Sequence, residues 1–226
     1  LYQIHTISGG QGDLTFAHHP MLRMSAGGHV GFSAKKAAIT PGEPLEPAHR
    51  FAYPARATDL SRFPAADGGS VDLHSYPVEP GREDFVTPVE ADAGAKRVAE
   101  GGVVLILKDP RTAPITMLWQ SNGGRGYAPW NGRHVGVLGV EDGCGAGAAT
   151  IAQAASGNPI ADEGVATTLT LHPEQTTQVR HAIAVVPRPE GWAGVKDIAP
   201  SKSGLTLTSL AGVQINVPFD LGFFGN

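Results

Sequence analysis

Cysteine is almost absent from this 226-residue chain, and the single Cys144 excludes both an internal disulfide and a zinc site built from several thiolates. A reducing, cytoplasmic setting is therefore the default expectation. Charge is also sparse: acidic and basic residues make up 17% of the chain, with a net charge of −4 and a pI near 6.1. No basic surface is implied, so neither nucleic acid nor an anionic membrane is expected as a partner. No apolar run approaches the roughly 18 to 20 residues of a membrane-spanning helix. The order of elements shows no strand–helix alternation either, which argues against a parallel α/β sheet.

What the chain has in excess is glycine and proline, 30 and 18 residues, beside a 41% hydrophobic content sufficient for a core. Many strands joined by tight turns fit that composition. Period-two alternation begins at Leu1–Ile7, and further strand signals follow at Asp13–Ala17, His29–Ser33, Gly102–Lys108, Ile115–Gln120 and Gly136–Val140. Later ones occur at Thr167–Leu171, Gln178–Val186, Leu205–Leu210 and Val213–Val217. From Thr40 to Pro88 periodicity is lost among prolines, and a surface excursion pinned by Phe51, Tyr53, Phe63 and Tyr76 is expected. Ala146–Ala155 is the best helical candidate, stopped by Ser156-Gly157-Asn158-Pro159. The fold class that results is all-β, a large antiparallel β-sandwich with few short helices, read as a single domain over residues 1–226. The chain starts at Leu1 in what reads as mid-strand, so an N-terminal portion is expected to be missing.

The stretch Trp119–Cys144 carries the densest functional signal. A Gly-rich polar segment holding Trp119, Asn122, Arg125, Tyr127, Trp130, Asn131 and Arg133 runs into an apolar strand, Val135–Val140, and then into Glu141-Asp142. Aromatic faces beside amide and guanidinium donors suit a sugar, whose C–H faces stack and whose hydroxyls take directed hydrogen bonds. A carboxyl at the end of a buried strand is partly desolvated, which moves it towards general-base use.

Other chemistries fit less well. Gly143-Cys144-Gly145-Ala146-Gly147-Ala148 matches a dinucleotide pattern, but Asp162 and Glu163, at the right distance, have no strand before them. His18 and His19 are adjacent on a strand and point to opposite faces, so they are not expected to share a metal. No G-x-S-x-G elbow occurs. No cofactor or metal is called for. His19, stiffened by Pro20, remains as an acid to complement Glu141, with Asp84 as a further polar candidate.

Three stretches resemble the aldose 1-epimerase (galactose mutarotase) superfamily, in its divergent bacterial branch. His18-His19-Pro20-Met21-Leu22 is similar to a segment carrying a catalytic histidine, Glu83-Asp84-Phe85-Val86 to one whose aspartate holds a sugar hydroxyl, and Val137–Glu141 to the late strand ending in the catalytic glutamate. They occur in the family's order. The resemblance implies a supersandwich fold and cofactor-free interconversion of sugar anomers. Glu141 would act as base, His19 as acid and Asp84 as a hydroxyl anchor, in a monomer or homodimer. Met21-Leu22 departs from the family's aromatic pair, and its usual N-terminal arginine and second histidine have no counterpart here; His74, with Arg125 and Arg133, enters only as a stand-in for those groups. A carbohydrate-binding or regulatory protein that kept the cleft without the chemistry is the other expectation.

Overall fold

Short alternating runs cut by glycine and proline make strands, and the computed structural model, which describes residues 1–77, 79–91 and 102–225, is built from antiparallel sheets. In chain order the elements that matter are β1 (Tyr2–Ser8), β2 (Phe16–Ala17), β3 (Met21–Arg23), β4 (Lys35–Ile39), β5 (Arg56–Ala57) and β6 (Arg82–Glu90). They continue with β7 (Gly102–Lys108), β8 (Ile115–Asn122), β9 (Val137–Cys144), β10 (Thr176–Pro187), β11 (Val195–Ser201), β12 (Gly204–Ser209) and β13 (Gln214–Pro218). The main sheet runs β2-β9-β8-β6-β4-β5, and β3 joins β9 on the same side as β2. A second sheet is β1-β10-β7 and a third is β11-β12-β13.

Burial on both faces explains why Val103–Leu107 is apolar without interruption. Val103, Leu105 and Leu107 pack with Ile198, Leu205 and Leu207 of the third sheet, while Ile106 points the other way into the cluster of Val86, Leu118, Leu138 and Val140. The second sheet is thus a middle layer between the other two. The Thr40–Tyr76 segment is no loose excursion: Phe51 and Phe63 meet edge to face at 5.5 Å and, with Leu73 and Tyr76, are buried in the main core.

Several expected boundaries shift; the strand expected at His29–Ser33 is only Gly28–His29, and Asp13–Ala17 divides at Thr15. The predicted helix shrinks to Ile151–Ala154, started by Thr150 and Gln153 in a capping box. Gly147 upstream adopts φ +66°, which breaks any helix there. The predicted strand end at Val140 also moves, because β9 continues through Glu141 and Asp142 to Cys144. A strand unanticipated from sequence, β6, sits in the middle of the main sheet despite Pro88. The register slips between Val89 and Glu90, immediately beyond that proline, as expected where a ladder donor is missing.

The sheets are tied by charge as well as by hydrocarbon. Lys108 of β7 and His181 of β10 are register partners facing the main sheet. Lys108 Nζ lies 3.0 Å from Glu90 and 3.2 Å from Asp142, and donates to the Thr116 hydroxyl at 2.8 Å. His181 Nε2 lies 3.2 Å from Asp142, whose other oxygen accepts from Thr116. Lys35 closes the network on Glu90. The Lys108, Asp142 and His181 side chains are wholly buried. Such a network adds little net stability, but removing one member strands an uncompensated charge. Lys108→Met is expected to lower the urea unfolding free energy by about 3 to 5 kcal/mol.

Candidate functional site

The site is organised at the edge of the main sheet, where β2 and β3 leave a gap along β9. His18-His19-Pro20 fills that gap: the His18 amide donates to the Asp142 carbonyl at 2.8 Å and the Val140 amide to the Pro20 carbonyl at 3.0 Å. Successive side chains alternate between faces, so two histidine–carboxylate pairings stand back to back. Inward, His18 stacks on His181 at 4.0 Å, above Asp142. Burial, reinforced by His181, holds the His18 imidazole down to about 4. Outward, His19 Nε2 lies 3.2 Å from Glu141 Oε1, with the imidazole half exposed and the carboxylate 6% exposed. Burial raises the Glu141 pKa, and the neighbouring His19 only partly opposes it. Gly139 makes room for this pair, because a Cβ there would stand 3.1 Å from the Trp119 Cβ and 3.3 Å from Glu141 Oε1.

The outward faces of β8 and β6 extend the site into an aromatic wall. Trp119 stacks on its register partner Phe85 at 5.5 Å, meets His19 edge-on at 5.8 Å, and carries the Arg125 guanidinium 4.8 Å from its ring centre. Trp130 packs edge-on against Trp119 at 5.6 Å and lies 4.9 Å from the same guanidinium. Two buried acids lock the wall. Glu83 accepts the Trp119 indole N–H at 2.7 Å and the Gly124 amide at 3.1 Å, while Glu46 accepts Arg125 Nε and the Tyr127 hydroxyl, each at 2.6 Å. Trp119 itself is only 5% exposed, so it backs the wall instead of offering a sugar platform. Trp130 is partly exposed and Tyr127 is exposed.

Five expected residues are not brought to this surface as substrate groups. Asp84 lies on the opposite face of β6 from the outward Glu83 and Phe85; its carboxylate is consumed by the amides of Arg50 and Phe51, each at 2.9 Å. Asn122 is buried, donating to the Glu79 carbonyl at 2.7 Å and accepting the Gly136 amide at 2.9 Å. Arg133 turns back onto the Pro129 and Trp130 carbonyls, and Asn131 serves its own loop at φ 49°. His74 belongs to another surface, with Asp72 at 2.9 Å and stacked on His29. The sequence reading missed Glu83, Glu46 and Asp142. Reading Arg82–Glu90 as a strand would have paired Glu83 with Phe85 on one face by period two alone.

His5, His18 and His181 converge, yet among the described residues no group of three or more His, Cys, Asp or Glu side chains is arranged to hold a metal ion. No helix among them is long and apolar enough to cross a membrane. A cleft of about 610 Å³ opens on the same sheet face, at Ile39 and Thr87, but neither His19, Glu141 nor the aromatic wall lines it. This cleft and the His19–Glu141 pair are therefore separate places on the face. Compared with protein-family models, curated proteins and solved structures, the chain matches none.

Asp84→Ala leaves the Arg50 and Phe51 amides without their acceptor and is expected to cost about 1 to 3 kcal/mol of stability in denaturant titrations. Glu141 behaves in the opposite sense. Its raised pKa means the folded protein holds that proton more tightly than the unfolded chain, so stability falls as pH rises through the folded value. Glu141→Gln should melt with wild type in acid. By about pH 8 its Tm should lie above that of wild type in thermal denaturation.

Proposed function

We propose that the protein is an acid–base isomerase of carbohydrates of the aldose 1-epimerase type, opening and reclosing a sugar ring at the anomeric carbon. The observation that carries this reading is the His19–Glu141 pair: a buried carboxylate with raised pKa touching a half-exposed imidazole, beside an aromatic wall. The two groups are in contact and not a sugar ring apart, and the reaction is compatible with that. The hydroxyl to be deprotonated and the ring oxygen to be protonated are bonded to one carbon, so a close acid–base pair can reach both.

In the forward step Glu141 takes the anomeric hydroxyl proton and the C1–ring-oxygen bond breaks. Its electrons go to the ring oxygen, which takes a proton from the His19 imidazolium. The aldehyde rotates about C1–C2. On closure His19 takes the proton back from the new hydroxyl and Glu141 returns its own to the carbonyl oxygen, restoring both groups with the opposite anomer. The exposed rings of Trp130 and Tyr127 supply stacking faces for the sugar. A low cysteine content fits a cytoplasmic setting for this chemistry.

A second reading, carbohydrate binding without turnover, is favoured by one observation: Asp84 is spent on backbone amides and cannot hold a hydroxyl beside Glu141.

The test is the relaxation of optical rotation in freshly dissolved α-glucose and α-galactose, with a panel of phosphorylated sugars. Wild type should accelerate it, and Glu141→Gln and His19→Ala should each lose ~10²-fold or more. Activity should fall as acid protonates Glu141, starting above the ordinary carboxylate range because burial raises that group. Calorimetric binding without acceleration of any sugar would establish the second reading in place of the first.

A further inference from the structure

We infer that the cleft at the far edge of the main sheet is a separate binding site for a small, uncharged, apolar molecule. Its floor is the outward face of β4 and β6 at Ile39 and Thr87, closed below by buried Ile160. One wall is Pro41 to Leu45 with Pro54, and the other is the Ala146–Ala149 loop with Pro159. At about 610 Å³ it falls in the range of small-molecule sites.

The charged side chains at its margin and most of the polar ones are already spent, which narrows the ligand class. Arg56 is held by both oxygens of Glu163, at 2.5 and 3.0 Å, so the rim carries a closed ion pair and not a free cation. Gln153 accepts from Thr150, and the Thr40 hydroxyl donates to the Ala52 carbonyl at 2.8 Å. Asn158 accepts the Ile160 and Ala161 amides on one side and donates to nearby carbonyls on the other. A charged ligand would meet the closed Arg56–Glu163 pair and lose its hydration without an ionic partner. What the cleft offers is the hydrocarbon of Pro41, Leu45, Pro54, Ala148 and Pro159, with Leu45 42% exposed.

The opening is maintained by the chain itself. Gly147 is pressed onto the floor, where a Cβ would stand 2.9 Å from the Thr87 hydroxyl, so the loop is seated and cannot sink further. Added Cβ atoms at Gly42 and Gly157 would meet nothing within 4 Å, consistent with open space at both lips. Across the sheet, register places Glu141, Met117, Thr87 and Ile39 in one row. Thr87 is therefore two strand spacings, ~10 Å, from Glu141.

The experiment uses the whole protein, the uncharged dye Nile red, and competition by 1-decanol, decanoate and galactose. The expected result is saturable one-to-one binding that decanol displaces, with decanoate at least tenfold weaker and excess galactose without effect. Ala148→Phe and Leu45→Asp, both at exposed positions, should each weaken dye binding at least tenfold while leaving the circular dichroism spectrum and Tm unchanged. Non-saturable binding, or saturable binding unaltered in both variants, overturns the site. Decanoate matching decanol overturns the uncharged class, and displacement by galactose overturns its separation from the catalytic face. None of these outcomes depends on whether the protein turns over a sugar.

Discussion

Lys108 is the side chain on which the layering depends. It leaves the middle sheet fully buried and ends between two carboxylates of the main sheet, Glu90 and Asp142. Hydrophobic clusters on the two faces of β7 would tolerate sliding, since dispersion and apolar burial are non-directional. A buried ammonium between fixed acceptors is not so permissive. Displaced by one residue along β7, it would leave three charges in an apolar interior. The network therefore specifies how the sheets align more than how strongly they hold.

The same network explains why the outward face is free for chemistry. Asp142 is committed inward to Lys108, Thr116 and His181, and this fixes the register of β9. Glu141, its neighbour, must then face outward, where His19 meets it. If Glu141 is the base proposed above, its accurate positioning demands a rigid support behind it. Here the support is a salt-bridged strand, with the aromatic wall fixed independently by Glu83 and Glu46.

The parts of this arrangement that were legible in the sequence were those carried by local pattern. Antiparallel strands, the opposed directions of His18 and His19, and the distinction of Glu141 all follow from period-two alternation and turn residues. A charged pair after an apolar run looks like a strand end, so local pattern does not anticipate the burial of Asp142; the partner Lys108, distant in the chain, makes it possible. Asp84 was misassigned for the same reason. Four charges and a proline hide β6 in the sequence, and without that strand nothing shows which of Glu83 and Asp84 faces which way. The aromatic wall was half legible: the residue types were right, but Trp119, expected at the surface, is covered by Arg125 and Phe85 through contacts no local pattern encodes.

The interrupted edge beside β9 has a consequence apart from chemistry. An unpaired strand at a sheet margin is a template for another chain, and proteins suppress this with short or kinked edges and proline. β2 and β3 offer two and three residues on either side of His18-His19-Pro20, and the opposite margin ends in the two residues of β5. Neither margin presents a continuous ladder for a foreign strand to extend. The kink that delivers His19 to Glu141 thus also keeps this margin of the main sheet from pairing with a foreign strand, so straightening it would trade a site for an aggregation hazard.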